Sequence, residues 1–249
     1  MSQFQLFSEE EIDSLRTGGK ILRDCLTLVS GLVQPGIKTI DLDRKAEEFI
    51  RSFAGAVPGF KGYHGYPATL CTSVNDACVH GIPGDYALRE GDIISLDCGV
   101  LYDVLYTDAC VTVPVGTVSA QATLLIRTTE DALKAAVDII RKGRNVGDLS
   151  AAIEKTARAK GFSPVRFLTG HGLGTALHQF PDIPNSGAAG TGPVLPERTI
   201  IAVEPIICAG TGAIREMGGG WTILTSDHTL CAHAEHTLLI LPDGCDILA

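Results

Sequence analysis

Sliding the 249-residue chain against itself by 107 positions pairs residues 36–97 with 143–204 and yields 13 identities over 62 ungapped pairs. A duplication of this kind restricts the fold to two similar halves, because equivalent residues must serve equivalent elements. The matches carry structural weight: Asp41-Leu42 aligns with Asp148-Leu149, Glu47 with Glu154, Arg51 with Arg158, and His64-Gly65 with His171-Gly172. Ile93-Ile94 then falls on Ile200-Ile201, and the last pair sets Asp97 opposite Glu204. Two copies are too few for a solenoid.

Each half reads as a long helix, a second helix stopped by glycine, a strand region with histidines, and two strands bearing carboxylates. Ser8-x-x-Glu11 is a capping box that opens an amphipathic run through Ile12, Leu15, Leu22 and Leu26, stopped at Pro35-Gly36. The second helix is predicted from 39 to about 54. In the other half, helices are predicted over 120–142, stopped by Gly143, and over about 148–160, stopped by Gly161. Strands rich in Val, Ile and Leu fill the rest, with turns at Pro83-Gly84, residues 187–193 and Pro242-Asp243-Gly244. No long linker interrupts the pattern. The expectation is one α/β (α+β) catalytic domain, 1–249, in two pseudo-symmetric halves of about 1–115 and 116–249, with its site at their junction.

Four acids sit in or beside apolar strand-like runs: Asp97 after Ile93-Ile94-Ser95-Leu96, Asp108 before Ala109-Cys110-Val111, Glu204 after Ile200-Ile201-Ala202-Val203, and Glu235 before Thr237-Leu238-Leu239-Ile240. One such acid alone reads more simply as a capped or paired strand-end residue. Four at once call for a multivalent cation, because an ionised carboxylate facing an interior needs a partner. His171, in Gly170-His171-Gly172-Leu173-Gly174, adds an imidazole where flanking glycines let the backbone approach closely. His178 follows seven residues later, and His80 opens His80-Gly81-Ile82-Pro83. Carboxylates with imidazole suit a pair of divalent ions such as Mn, Fe, Co or Zn, whereas structural zinc favours thiolates. The eight cysteines are dispersed and form no Cys-x-x-Cys, so neither a disulfide scaffold nor a zinc ribbon is expected. A net charge of −9 without a Lys/Arg run argues against a grip on nucleic acid. The absence of any stretch of about 20 apolar residues or of a basic-then-apolar leader makes a cytoplasmic protein the default expectation.

Taken in order, several motifs together resemble the bacterial-type (type I) methionine aminopeptidases. They are Gly62-Tyr63-His64-Gly65-Tyr66-Pro67, Ser73-Val74-Asn75-Asp76, His80-Gly81-Ile82-Pro83, Leu96-Asp97-Cys98-Gly99-Val100 with Thr107-Asp108, Gly170-His171-Gly172-Leu173-Gly174, Val203-Glu204-Pro205, Gly219-Gly220-Trp221-Thr222 and Glu235-His236-Thr237. The resemblance implies a pita-bread fold with helices outside a curved, antiparallel-rich sheet. It also implies two divalent metals held by Asp97, Asp108, His171, Glu204 and Glu235, with Asp108 and Glu235 bridging. On this reading a hydroxide bridging the metals attacks the first peptide carbonyl, His178 donates to the oxyanion, and Glu204 carries the proton to the leaving amine. His80 and His178 face substrate. The methionine pocket is formed by Tyr63, Tyr66, Cys71 and Trp221 with Phe60 and Leu177 at its rim, an apolar and soft-sulfur setting suited to a thioether. The implied activity is removal of initiator methionine before a small second residue. The implied partners are peptide and nascent-chain N-termini and the ribosome, with no membrane, and the chain is expected to be a monomer.

Four positions depart from the family pattern: Tyr106 and Thr107 before Asp108, Leu177, and Gln179. Thr107 would be strained only at positive φ. Proline-specific peptidases of the same fold are the nearest enzymatic alternative, but they carry an added N-terminal domain for which Asp97 comes too early. The 31 residues from Glu204 to Glu235 leave no room for the type II insertion. A metal-free binding module is the alternative from another class, and it conflicts with five intact ligand positions.

Overall fold

The capping box at Ser8 opens the first helix of the structure, a computed structural model that describes residues 3–249. The expected half 1–115 thus includes Met1 and Ser2, which lie outside the described residues. Ser8 Oγ accepts the Glu11 amide at 3.3 Å while the Glu11 carboxylate accepts the Ser8 amide at 2.7 Å, so two otherwise orphaned donors are satisfied. Helix α1 (Glu9–Gly31) buries Ile12, Leu15, Leu22, Leu26 and Val29 along one stripe. Helix α2 (Thr39–Arg51) ends near the predicted boundary, where the chain turns through Gly55 at φ 82° into strand β1 (Ala56–Pro58).

A 3-10 turn at Tyr63–Gly65 leads to β2 (Leu70–Val74) and β3 (Ala77–Val79), followed by the long strands β4 (Ile93–Tyr102) and β5 (Leu105–Pro114). Helix α3 (Ala120–Val137) stops five residues short of the predicted end. The Ile139 and Ile140 amides turn back to the Ala136 and Val137 carbonyls, and the Lys142 amide is taken by Leu241. Buried Ile140 keeps the apolar spacing going after helical hydrogen bonding has ended, which explains the overlong prediction. Helix α4 (Val146–Ala159) starts at an Asn145/Asp148 capping box.

The remaining strands are β6 (Ser163–Pro164), β7 (Thr169–Gly172), β8 (Gln179–Pro184), β9 (Ile200–Val203), β10 (Ile206–Cys208), β11 (Ile214–Glu216), β12 (Ile223–Thr225), β13 (Cys231–His233), β14 (His236–Ile240) and β15 (Cys245–Ile247). Pairing is antiparallel, and the strands divide among four sheets rather than one. The two larger are β1-β4-β2 with β5 on β4, and β15-β14-β9-β7-β8. A lone bridge between Cys110 and Glu235 stitches them together, with the Glu235 amide donating to Cys110 O at 3.0 Å.

The 107-residue offset reappears in the hydrogen bonds. Gly36 N–H reaches Leu88 O at 2.7 Å and Gly143 N–H reaches Leu195 O at 2.8 Å. The isolated bridges Lys38↔Ala87 and Asn145↔Val194 obey the same offset, as do the ion pairs Arg51–Glu47 and Arg158–Glu154. Gly36 and Gly143 sit at φ 94° and 84°, left-handed values that a side chain would strain. One apolar cluster lies between α1, α2 and β4, around Leu22, Leu42, Ile50, Leu70 and Leu96. A second lies between α3, α4, β9 and β14, around Leu125, Leu149, Ile153, Ile201 and Leu238. A third, with Phe7, Leu15, Leu173, Ala202 and Leu239, packs α1 against the second of the large sheets. All eight cysteines are free and seven are buried, so no disulfide contributes.

Candidate active site

The carboxylates come from strand positions that the backbone fixes. Asp97 on β4 pairs with Cys71 on β2 and Cys110 on β5, and Asp108 on β5 lies opposite Gly99. Gly99 has to lack a side chain, since a Cβ there would meet Phe60 Cε1 at 2.6 Å. Glu204 follows β9 immediately, and Glu235 occupies the step between β13 and β14 at the Cys110 bridge. Next along that seam, Thr237 Oγ1 accepts the Asp108 amide at 2.8 Å and donates to the Asp108 carbonyl at 2.6 Å. The backbone of Asp108 is thereby locked to the strand that follows Glu235.

His171 on β7 presents Nδ1 to its neighbour's carbonyl, Gly172 O, at 3.0 Å. That contact places the proton on Nδ1 and leaves the Nε2 lone pair free, 3.5 Å from Glu204 Oε1 and 4.0 Å from Asp108 Oδ2. One donor atom each from Asp108, His171 and Glu235 falls within a 4.8 Å group. Asp97 Oδ1, Asp108 Oδ1 and Glu235 Oε1 are buried without a hydrogen-bond partner. Burial pushes the Asp97 carboxyl up to about 7, and burial together with mutual repulsion holds Asp108, Glu204 and Glu235 well above the usual carboxylate range. Burial takes His171 the other way, down to about 3, so its imidazole is neutral. Neutral nitrogen, orphaned oxygens and crowded acids together make a donor set that fits divalent cations.

Every residue given a metal-binding, catalytic or substrate-binding role in the sequence lines one cavity of about 360 Å³. Beside the acids and His171, its walls include Phe60, Tyr63, Tyr66, Cys71, His80, Leu177, His178 and Trp221. Tyr66 is anchored through its hydroxyl to the Leu70 carbonyl at 2.9 Å, and its ring meets Trp221 edge-on at 5.1 Å. Phe60, Tyr66, Cys71 and Leu177 form a buried apolar group with Ala68. His178 stands over His171, with ring centroids 4.3 Å apart, and its Nδ1 lies 3.3 Å from the Tyr63 hydroxyl. His80 sits at φ 57°, in the left-handed region, near Trp221. Burial lowers the pKa of both His80 and His178.

The departures fit without strain. Thr107 lies in β5 opposite Val100, outside the left-handed region. Leu177 fills the space beside Phe60, and Gln179 ties its own turn to Gln5, with Nε2 donating at 3.1 Å. Three lining residues, His64, Val79 and His233, were given no site role in the sequence, although the repeat already pairs His64 with His171. His233 stands two residues before Glu235, a spacing that places two side chains on one face of an extended strand.

The model of the family "Metallopeptidase family M24" matches residues 13–242. A methionine aminopeptidase of Clostridium perfringens (strain 13 / Type A) is 44% identical over 243 residues, 98% of this chain and 97% of its own. The solved methionine aminopeptidase from Thermotoga maritima superposes with a TM-score of 0.97 at 37% identity, covering 99% of both chains. The one from Rickettsia prowazekii does so with 0.96 at 35% identity and the same coverage. The prolidase from Pyrococcus horikoshii OT3 shares the fold alone, with a TM-score of 0.79 at 20% identity over 98% of this chain and 62% of that one. With the acid cluster, the apolar wall and these likenesses in agreement, the chain belongs to metallopeptidase family M24, among its bacterial-type methionine aminopeptidases.

Proposed function

We propose that this chain is a metal-dependent aminopeptidase that removes N-terminal methionine from peptides and nascent chains ahead of a small second residue. The observation that carries the reading is one cavity in which a carboxylate and imidazole cluster faces an aromatic, thiol-bearing wall. In this reading Asp97, Asp108, His171, Glu204 and Glu235 would hold two divalent ions drawn from Co, Mn, Fe or Zn. When bound, such ions polarise a carbonyl and ready a water for attack near neutral pH.

The protein's own groups do the rest. With Tyr63 O–H as the donor across its 3.3 Å contact to His178 Nδ1, the His178 proton stays on Nε2 and donates a hydrogen bond to the oxyanion as it forms. A neutral imidazole serves here because its pKa is lowered, so it donates a hydrogen bond without carrying charge into the cavity. Glu204, buried and raised in pKa, takes a proton on a carboxylate oxygen and returns it to the leaving amine. His80 faces the peptide from beside Trp221. Tyr63, Tyr66, Cys71 and Trp221 enclose the thioether, and Phe60 and Leu177 close the rim.

The reading extends to one catalytic domain, 1–249, with halves of about 1–115 and 116–249, working as a monomer in the cytoplasm on chains leaving the ribosome. Among the described residues no helix is long and apolar enough to cross a membrane. The test is turnover of Met-Ala-Ser against Met-Leu-Ser, Leu-Ala-Ser and a Xaa-Pro dipeptide, after separate loading with Mn, Fe and Co. Selective methionine release from Met-Ala-Ser supports the proposal. Cleavage only before proline would move the chain to the prolidase branch.

A further inference from the structure

Two imidazoles in the cavity, those of His64 and His233, have no part in the chemistry assigned above, and His233 is the one set among the acids. His233, at the end of β13, is buried at 2% exposure, and neither of its ring nitrogens has a hydrogen-bond partner. Its Nε2 lies 3.6 Å from Glu204 Oε2 and 3.7 Å from Glu235 Oε2. Those separations are too long for an N–H···O hydrogen bond, so a proton on Nε2 would gain little from either oxygen. With the proton on Nδ1, an Nε2 lone pair faces two carboxylate oxygens, an arrangement relieved by a proton on a carboxyl or by a cation standing among the three. Donor atoms about 2.0–2.2 Å from a shared ion are themselves about 3–3.6 Å apart, close to what is seen.

The same spacing recurs on the other side of Glu204. Its Oε1 is 3.5 Å from His171 Nε2, so each oxygen of this one carboxylate faces an imidazole nitrogen. We propose that His233 Nε2 is a further donor to the metal centre, giving it two imidazoles, His171 and His233, placed about Glu204. The inference rests on the reading of the cavity as a divalent-metal site. A second neutral nitrogen adds no charge and shifts preference from hard ions toward borderline ones, cobalt, iron and zinc over manganese.

The experiment is proton NMR of the full-length protein loaded with cobalt(II), counting strongly shifted, solvent-exchangeable imidazole N–H signals. Two are expected in the wild type and one in His233→Gln. Titration calorimetry should show His233→Gln losing about tenfold or more in cobalt affinity, and less in manganese affinity. The wild-type spectrum decides even if the variant fails to fold: a single exchangeable signal overturns the proposal while leaving the metal centre intact. Failure to take up cobalt at all overturns both readings. An equal loss for both metals, with two signals kept in the variant, would make His233 a structural residue only.

Discussion

Thr237→Val isolates the contact that anchors Asp108. The Thr237 side chain is fully buried, and its hydroxyl pairs with both the amide and the carbonyl of Asp108, at 2.8 and 2.6 Å. Valine keeps the shape and removes both bonds. Orphaning each of the two buried backbone groups costs about 1–3 kcal/mol, and the added methyl returns about 0.8 kcal/mol, for a net loss of roughly 1–5 kcal/mol. The assay is urea unfolding of chelator-treated protein, so that bound metal does not mask the change. With a slope of about 3 kcal/mol/M for a chain of this size, the midpoint should fall by about 1 M at unchanged slope. Thr237→Ser keeps the hydroxyl and should lose only about 1 kcal/mol through the missing methyl. A valine variant as stable as wild type, or less damaging than serine, would refute the view that this hydroxyl seats the backbone of Asp108.

For His178→Ala, turnover should fall about 10²–10³-fold with metal content unchanged, since an oxyanion donor is lost and a ligand is not; loss of metal with full turnover per bound ion would contradict that role. Asp108→Ala and Glu235→Ala should each lose the metal pair and with it activity, read by metal analysis after dialysis, and a fully active variant would rule out shared ligands. The metal-free protein should be more stable to urea in mild acid than in alkali. Asp97 is raised to about 7 when folded, so its stabilising contribution is complete below the ordinary carboxylate pKa and disappears as pH rises through about 7. Saturating metal should flatten this dependence, and a flat profile without metal would mean the acids are not crowded.

The acids were legible in the sequence because they interrupt apolar runs, and an interruption of that sort has few physical explanations. The repeat was legible for a related reason: Gly36 and Gly143 serve one left-handed turn twice. Helix ends were harder to read. Ile139 and Ile140 carry on the apolar spacing of α3 into turns, so periodicity alone overran the helix. His233 stayed hidden because Cys231-Ala232-His233-Ala234 reads as ordinary strand until the Glu204 carboxylate, 29 residues earlier, is seen to face it. The partition into four sheets was not legible either, since it depends on which strand edges meet across the Cys110 bridge.

The proposed ligands are divided along the chain, with Asp97 and Asp108 before residue 115 and His171, Glu204 and Glu235 after it. The first set, with two carboxylates, cannot fill a coordination sphere alone. An ion gripped by both would act as a reversible cross-link between segments already joined by the Cys110–Glu235 bridge and the Thr237–Asp108 hydrogen bonds. Metal uptake would therefore report late assembly of the chain, and at 100 times its dissociation constant a single ion would add about 2.7 kcal/mol to the folded state. In a cell short of the metal, the first casualty would be the lifetime of the protein as well as its turnover.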